Sequence, residues 1–206
     1  MPGPQLQTTA LILGRQPTGS DSFEQLTAFS ETDGVLLCLR RVSTKPATAT
    51  PPLDLFDEAE LWLESSTQGR TWFIKEHRHI TRRPGLGRSY DALAAAAQLA
   101  RLVQRNPVAD ESRAPIAALL RQSLAALETG ARPDLVWLKA LFCFLRDEGY
   151  PVKQHWWQQL DAADRALATT LLNQPIAAQD PDRHEVARLT TRLEQWVTSD
   201  TELRLK

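Results

Sequence analysis

The strongest chemical signal in this 206-residue chain is a cluster of positive charge in residues 69–90. The stretch holds six cations and one acid, Glu76, a balance of +5 in a chain whose formal net charge is −1. Segregated cations favour a phosphate backbone as ligand, and an ordinary solvated surface is the alternative. We therefore predict DNA contacts from Arg70, Lys75, Arg78, Arg82, Arg83 and Arg88.

A second basic group, Arg40, Arg41 and Lys45, follows an apolar run that is typical of a strand. Cations at a strand end can contact phosphates, and each neutralised phosphate releases counterions, so that affinity falls with salt. A solvated strand end is again the alternative. These three residues complete the predicted DNA-binding set.

No arrangement of residues predicts catalysis. Two-metal hydrolysis needs clustered acids, but Asp57, Glu58 and Glu60 have no histidine or lysine motif beside them, so we expect a solvated strand edge. His77 and His79 share one face of a predicted strand, yet no carboxylate or cysteine is spaced to complete a metal site. The sequence predicts a protein that is not an enzyme and has no metal or cofactor.

Aromatic residues offer a second kind of contact, because bases can stack on them. Aromatic side chains in short strands more often belong to the core, which is the interpretation favoured for Trp62, while Trp72 and Phe73 stay open between the two roles. Trp156 and Trp157 are adjacent and must point to different sides of a regular element. One is expected in the core and the other at a partner-binding surface.

The elements that position these residues change type once along the chain. Asp33-Gly34 predicts a tight hairpin, and residues 43–52, with three prolines, predict a mobile loop. Five antiparallel strands with one long loop predict an OB-type β-barrel over residues 1–82, a common platform for single strands. The five predicted strands, bounded by turn residues, are residues 8–15, 23–30, 34–42, 59–65 and 71–80.

Residues 83–206 predict an all-α helical domain, so the predicted fold class is α+β. Ser89 is the expected N-cap of the first helix, which runs to Asn106, and Asp180 is the expected cap of the last. The helices between them are predicted to start near residues 114, 133 and 161.

Composition narrows the cellular context. Hydrophobic residues make up 42% of the chain, enough to bury a real core. Cys38 and Cys143 lie far apart in apolar runs, which indicates buried thiols of a cytosolic protein rather than a disulfide framework or a zinc site. The chain shows no signal-peptide pattern and no run of ~20 apolar residues, so we expect a soluble, cytoplasmic protein.

Several short motifs occur in order along nearly the whole chain. They are ALIL at residues 10–13, GSD at 19–21, LTAFSETDG at 26–34, the Arg40-Arg41 pair, YDAL at 90–93, LAALETG at 124–130, LVWLKALFCFL at 135–145, DEGYP at 147–151 and LRLK at 203–206. In their order and spacing these motifs resemble the RecO family of recombination mediators.

The resemblance implies an OB-type barrel and a helical domain that together bind single- and double-stranded DNA and anneal strands. It also implies two partners, RecR and the tail of single-strand-binding protein. That tail is acidic with an apolar end, so the helical domain should offer a groove flanked by cations. Candidate residues for this contact are Arg121, Arg132, Lys139 and Trp157.

Two features of this chain depart from the family pattern. Many members have a zinc-binding cysteine cluster after the Gly-Tyr-Pro turn, whereas this chain has no cysteine after Cys143, so zinc is not implied. The basic run expected after the third strand is replaced by VSTKPAT at residues 42–48, with far less charge.

The predicted function is therefore non-enzymatic DNA binding in recombinational repair. The alternatives are a RecO-like interaction scaffold that has lost most DNA binding, and an RNA-binding protein of the same fold.

Overall fold

A computed structural model of the chain describes residues 3–19, 22–42, 51–65 and 71–205. The chain divides into two compact units, Met1–Arg83 and Pro84–Lys206, which we call the sheet unit and the helical unit. The observed division lies one residue after the predicted one. The architecture, a sheet followed by helices, is α+β, as the sequence predicts.

All five predicted strands are present in the sheet unit, in the order β1-β2-β3-β5-β4, and β4 also pairs with β1. Their bounds are β1 (Gln5–Pro17), β2 (Phe23–Ser30), β3 (Gly34–Arg41), β4 (Glu58–Ser65) and β5 (Trp72–Thr81). The predicted hairpin between β2 and β3 is confirmed, and Gly34 has a φ of 72°. The prediction that all strands pair antiparallel is wrong at one contact: β3 and β5 are parallel and pair Cys38 with Trp72 and Leu39 with Phe73.

Alternate side chains of each strand face the core, and the remaining ones face outward. Ile12, Leu26, Cys38, Leu61 and Leu63 belong to this sheet core, each with almost no exposed surface. Cys38 is buried as predicted, and burial raises the pKa of its thiol to about 12, so the sulfur stays protonated.

Residues 51–57, which precede β4, form a strap that closes onto β1. The backbone N–H of Phe56 donates to the Ile12 carbonyl at 2.8 Å, and the Ile12 N–H donates to the Asp57 carbonyl at 2.9 Å. Leu53 is fully buried in the sheet core. The strap meets β1 next to a register shift between Ile12 and Gly14, and such a bulge locally disrupts the β1–β2 ladder. Residues 43–50 of the predicted loop lie outside the described residues.

The helical unit contains six α-helices within the described residues. They are α1 (Tyr90–Arg105), α2 (Arg113–Glu128), α3 (Pro133–Asp147), α4 (Trp156–Gln159), α5 (Ala162–Asn173) and α6 (Arg183–Asp200). The short helix α4 was not expected from the sequence. The apolar helix α3 packs against α1, α2 and α6 and forms the centre of the unit.

Of the two predicted helix caps, Ser89 is confirmed and Asp180 is wrong, and the helix predicted to start near residue 161 does so. The Ser89 hydroxyl accepts a hydrogen bond from the Ala92 N–H at 3.3 Å, and Asp161 caps α5 in the same way. Asp182, not Asp180, caps α6, because its carboxylate accepts the N–H groups of the first turn. Asp180 instead pairs with Arg132, at 2.8 Å. No helix of the described part is long and apolar enough to cross a membrane.

Candidate nucleic-acid interface

The outward face of β2, β3 and β5 carries a groove of about 620 Å³ with aromatic and cationic walls. Strand register builds it, since Phe23 lies opposite Arg41 and Leu39 lies opposite Phe73. The Phe23 and Phe73 rings meet edge to face, with centroids 6.0 Å apart and planes at 64°. Lys75 and Glu64 also line the groove, so it combines ring surfaces with charge.

Two cations of this groove differ in their availability. Arg41 is exposed and has no acidic partner among the described residues. Lys75 pairs with Glu64 at 2.7 Å, and this hydrogen bond holds the pKa of the Glu64 carboxyl below its ordinary value. Arg41 is therefore the cation of the groove that can neutralise a phosphate without giving up an existing ion pair.

Arg40 lies on the opposite face of β3 from Arg41. Its guanidinium forms an ion pair with the buried carboxylate of Glu24, and it donates to the Leu53 carbonyl at 3.1 Å. Its side chain is only 14% exposed. Arg40 therefore holds the strap and the sheet together. The prediction that it is exposed and contacts a phosphate does not fit this buried position.

Arg78 of β5 and Arg82, just after β5, face acids of β4 and the strap. Arg78 lies opposite Glu60 and donates to it from Nε at 2.9 Å, while Arg82 lies 3.8 Å from Asp57. Hydrogen bonds from Gln7 and Arg78 lower the pKa of Glu60 and keep it ionised. The positive balance counted along the sequence is thus offset in space by neighbouring carboxylates.

The other predicted cations are spread over different parts of the chain. Arg83 is half-buried at the end of the sheet unit, and Arg88 is exposed in the helical unit. Lys45 and Arg70 lie outside the described residues. Because Arg40 and Arg41 lie on opposite faces of β3, the predicted DNA-binding residues that the structure describes in the sheet unit do not share one surface.

Trp62 was predicted to belong to the core, and this is wrong. It lies half-buried on the outward face of β4 and outside the groove. Trp72 packs against the sheet core. Of the two aromatic residues whose role was open, Phe73 is the one that lines the groove.

The two histidines of β5 hold the strap. Nε2 of His77 and Nε2 of His79 each lie 3.0 Å from the same Pro51 carbonyl oxygen, so both imidazoles tether one backbone position. Throughout residues 3–19, 22–42, 51–65 and 71–205, no group of three histidine, cysteine or carboxylate side chains can hold a metal ion.

The acids near the start of β4 were expected at a solvated edge, and for two of them this is wrong. Asp57 and Glu58 are buried, with 2% and 7% of their surface exposed. Asp57 accepts the backbone N–H of Asp54 at 2.9 Å and thereby closes the turn of the strap.

The helical unit carries a separate pocket of about 290 Å³ next to Trp157. Phe142 forms part of its apolar wall, with its ring centroid 6.4 Å from that of Trp157. Two cations also line it, Lys153 and Arg146, and Arg146 pairs with Asp147 at 2.7 Å. Trp156 is buried whereas Trp157 is half-buried, which agrees with the expectation that adjacent tryptophans face different sides.

Two of the cations predicted to flank a partner site, Arg132 and Lys139, make contacts elsewhere in the helical unit. Arg132 pairs with Asp134 and Asp180, and the Lys139 ammonium donates to the Leu171 carbonyl at 3.1 Å near the end of α5. Arg121 is half-buried on α2. None of these three cations lines the Trp157 pocket.

Three residues of these sites were missed by sequence reasoning. Arg146 and Lys153 flank the GYP turn in the sequence, but only the packing of α3, α4 and α5 brings them to Trp157. Phe23 opens β2 directly after a turn, where a strand end gives no hint of its partner across the sheet.

Comparison with known proteins adds no family: no protein-family model matches the chain, and no curated protein matches it.

Proposed function

We propose that this chain is a non-enzymatic DNA-binding protein of recombinational repair that binds and anneals DNA strands. In this proposal it acts as a RecO-like recombination mediator in the bacterial cytoplasm, at the nucleoid, together with RecR and single-strand-binding protein. The observation that carries the proposal is the groove in which Arg41 stands beside the Phe23–Phe73 ring pair.

The strand arrangement supports an OB-type barrel as the platform for this groove. An OB barrel is a five-stranded Greek-key barrel that binds oligonucleotides on one face. The pairing order β1-β2-β3-β5-β4 with a return from β4 to β1 agrees with such a barrel. Its closure depends on the short parallel ladder between β3 and β5.

Annealing by this protein would be electrostatic. Cations that neutralise phosphates reduce the repulsion between two strands, and this requires no bond chemistry from the protein. With Lys75 and Arg78 already paired to acids, binding should be weaker than the number of basic residues suggests.

The Trp157 pocket supports a peptide partner in the helical unit. An acidic segment with an apolar end matches a pocket that has ring walls and two cations, and the tail of single-strand-binding protein has this chemistry. A labelled acidic peptide with an apolar C-terminus should lose affinity in Lys153→Ala. Equal binding by wild type and this variant would remove the pocket from the proposal.

The test of DNA binding is a salt series with a fluorescent single-stranded oligonucleotide. Wild-type affinity should fall as salt rises, and Arg41→Ala should make the slope shallower by about 0.7, the value for one phosphate on a single strand. A variant with Arg78, Arg82 and Arg83 all changed to Ala should also make the slope shallower. The change should be smaller than that expected from the loss of three unpaired cations.

Arg183→Ala is the matched control for that experiment. Arg183 is exposed on α6 and has no ion pair within the described part of the chain, so its loss should leave the slope unchanged. Absence of DNA binding even at low salt would overturn the proposal.

The second candidate is an interaction scaffold that has lost most DNA binding. The pairing of Arg78 with Glu60 and of Lys75 with Glu64 favours it, because both cations are neutralised locally. Peptide binding at the Trp157 pocket without DNA binding would support this second function.

A further inference from the structure

We propose that the groove selects single-stranded DNA by stacking an unpaired base on Phe73. This inference rests on the DNA-binding function proposed above and adds its substrate class and the residue that sets it. Phe73 is half-buried and lines the groove, and its backbone pairs with that of Leu39 on β3.

The geometry of the ring pair leaves ring faces that the partner ring does not cover. In an edge-to-face pair each ring uses either an edge or a single face for its partner, so each keeps at least one face that the partner does not cover. Phe23 and Phe73 meet in this way at 6.0 Å, and both line the groove. An aromatic base that enters the groove can therefore stack on a ring already fixed in place.

Arg41 supplies the contact that brings a polyanion to this ring. It lies directly opposite Phe23 in the β2–β3 register, so its guanidinium and the ring pair share one face of the sheet. Cross-strand neighbours on one face lie about 5 Å apart at Cβ. A phosphate at Arg41 thus holds the adjoining base near the rings.

Stacking, rather than charge, decides which form of DNA is bound. With Arg41 as its one available cation among the described residues, the groove should bind DNA with an affinity that depends only weakly on salt. Arg41 can contact the phosphates of single strands and of duplexes alike. In a duplex each base face is covered by the next base pair, whereas an unpaired base has a free face that an aromatic side chain can cover. The ring pair therefore adds affinity for single strands alone.

The experiment compares Phe73→Ala with wild type on three fluorescent probes. These are an oligothymidylate of about 15 nucleotides, near the upper site size of one such domain, a duplex of similar length, and a single strand of abasic sites. Loss of one stacked base should weaken oligothymidylate binding about 5- to 150-fold. Binding of the duplex and of the abasic strand, which offer no free base, should stay within about twofold of wild type.

Two further variants separate the ring from its packing. Phe73→Leu keeps apolar volume without a π face and should behave as the Ala variant does, while Phe73→Tyr keeps the ring and should retain affinity. Trp62→Ala is the matched control, because Trp62 is also a half-buried, outward-facing aromatic residue of the sheet but lies outside the groove. It should bind all three probes as wild type does.

The outcomes distinguish this inference from the function on which it rests. If wild type binds DNA and Arg41→Ala weakens binding, but Phe73→Ala does not, base stacking is overturned while DNA binding stands. Equal losses on the abasic strand and on oligothymidylate would also overturn it, since the effect would then not involve bases. If wild type binds none of the probes at low salt, DNA binding itself fails.

Discussion

Replacement of Arg40 by Ala should destabilise the sheet unit and leave the proposed DNA contact at Arg41 in place. The Glu24 side chain is 7% exposed and that of Arg40 14%, so their ion pair is buried. Removal of one partner from a buried pair costs about 3–5 kcal/mol, because a buried charge is left behind. Arg15, 2.6 Å from the same carboxylate, reduces this loss.

The same substitution removes the donor to the Leu53 carbonyl in the buried strap. An unsatisfied buried acceptor adds about 1–3 kcal/mol, and with partial compensation by Arg15 we expect a total near 4 kcal/mol. Because the chain has two units, the measurement should report on the sheet unit alone. Hydrogen exchange of β2 and β3 amides, followed by mass spectrometry, does this.

Amides of β2 and β3 that exchange through opening of the whole sheet unit should exchange about 1,000-fold faster in Arg40→Ala. The control is Arg41→Ala, an exposed substitution that should change the opening free energy by less than about 0.5 kcal/mol. In a double variant with Glu24→Gln the loss should be smaller than the sum of the single losses, since no buried charge remains. Unchanged exchange in Arg40→Ala, with DNA affinity reduced as in Arg41→Ala, would refute the reasoning.

Three other predictions test the surroundings of the sites. Glu60→Gln removes the acid that pairs with Arg78, so the salt slope of DNA binding should steepen by up to about 0.7; an unchanged slope would exclude Arg78 from the interface. Burial lowers the pKa of His77 from its ordinary value of 6.5, so the stability that depends on its neutral form is complete above pH 6.5 and is lost as the pH falls through the lower folded pKa. His77→Gln should therefore flatten the decline of the urea midpoint below pH 6.5, and parallel declines in the two proteins would contradict this. Trp156→Ala should cost about 3–5 kcal/mol in urea unfolding and Trp157→Ala clearly less, because only Trp156 is buried; equal losses would count against their assigned positions.

The face on which a residue lies was predictable in one strand and not in another. In β4, Ala59, Leu61 and Leu63 face the core. Trp62 lies two residues from both Glu60 and Glu64, and side chains two residues apart in a strand point to the same face. This period of two predicts that Trp62 faces outward. This signal was present in the sequence, and the general preference of aromatic residues for the core obscured it.

In β3 the sequence lacks such a signal. Both faces of β3 are apolar over Val35, Leu36, Leu37, Cys38 and Leu39. The alternation of side chains therefore does not show which of the two following arginines is buried. A shift of one residue exchanges the two faces, and Arg40 and Arg41 differ by that one step. Only the pairing with β2, which brings Glu24 opposite Arg40, decides between them.

Charge was the least predictable property because it depends on contacts between strands. The basic run of β5 is evident in the sequence, but Glu60 and Glu64 neutralise Arg78 and Lys75 from the neighbouring strand. These pairs depend on register, which a count of charges along the chain does not contain. Helix limits, by contrast, depend on local capping, and the start of α1 at Ser89 and the start of α5 near Asp161 were predicted correctly.

The double tether at Pro51 makes the span between β3 and the strap a suitable place for an inserted reporter. Val42 N–H donates to the Ser22 carbonyl at 2.9 Å, and the Pro51 carbonyl contacts both imidazoles, so each end of the span is fixed by its own hydrogen bonds. Between two fixed ends, each doubling of the length of a flexible connection adds about 0.6 kcal/mol of loop-closure entropy. A fluorophore-binding peptide placed between these anchors can follow binding without a label on the groove.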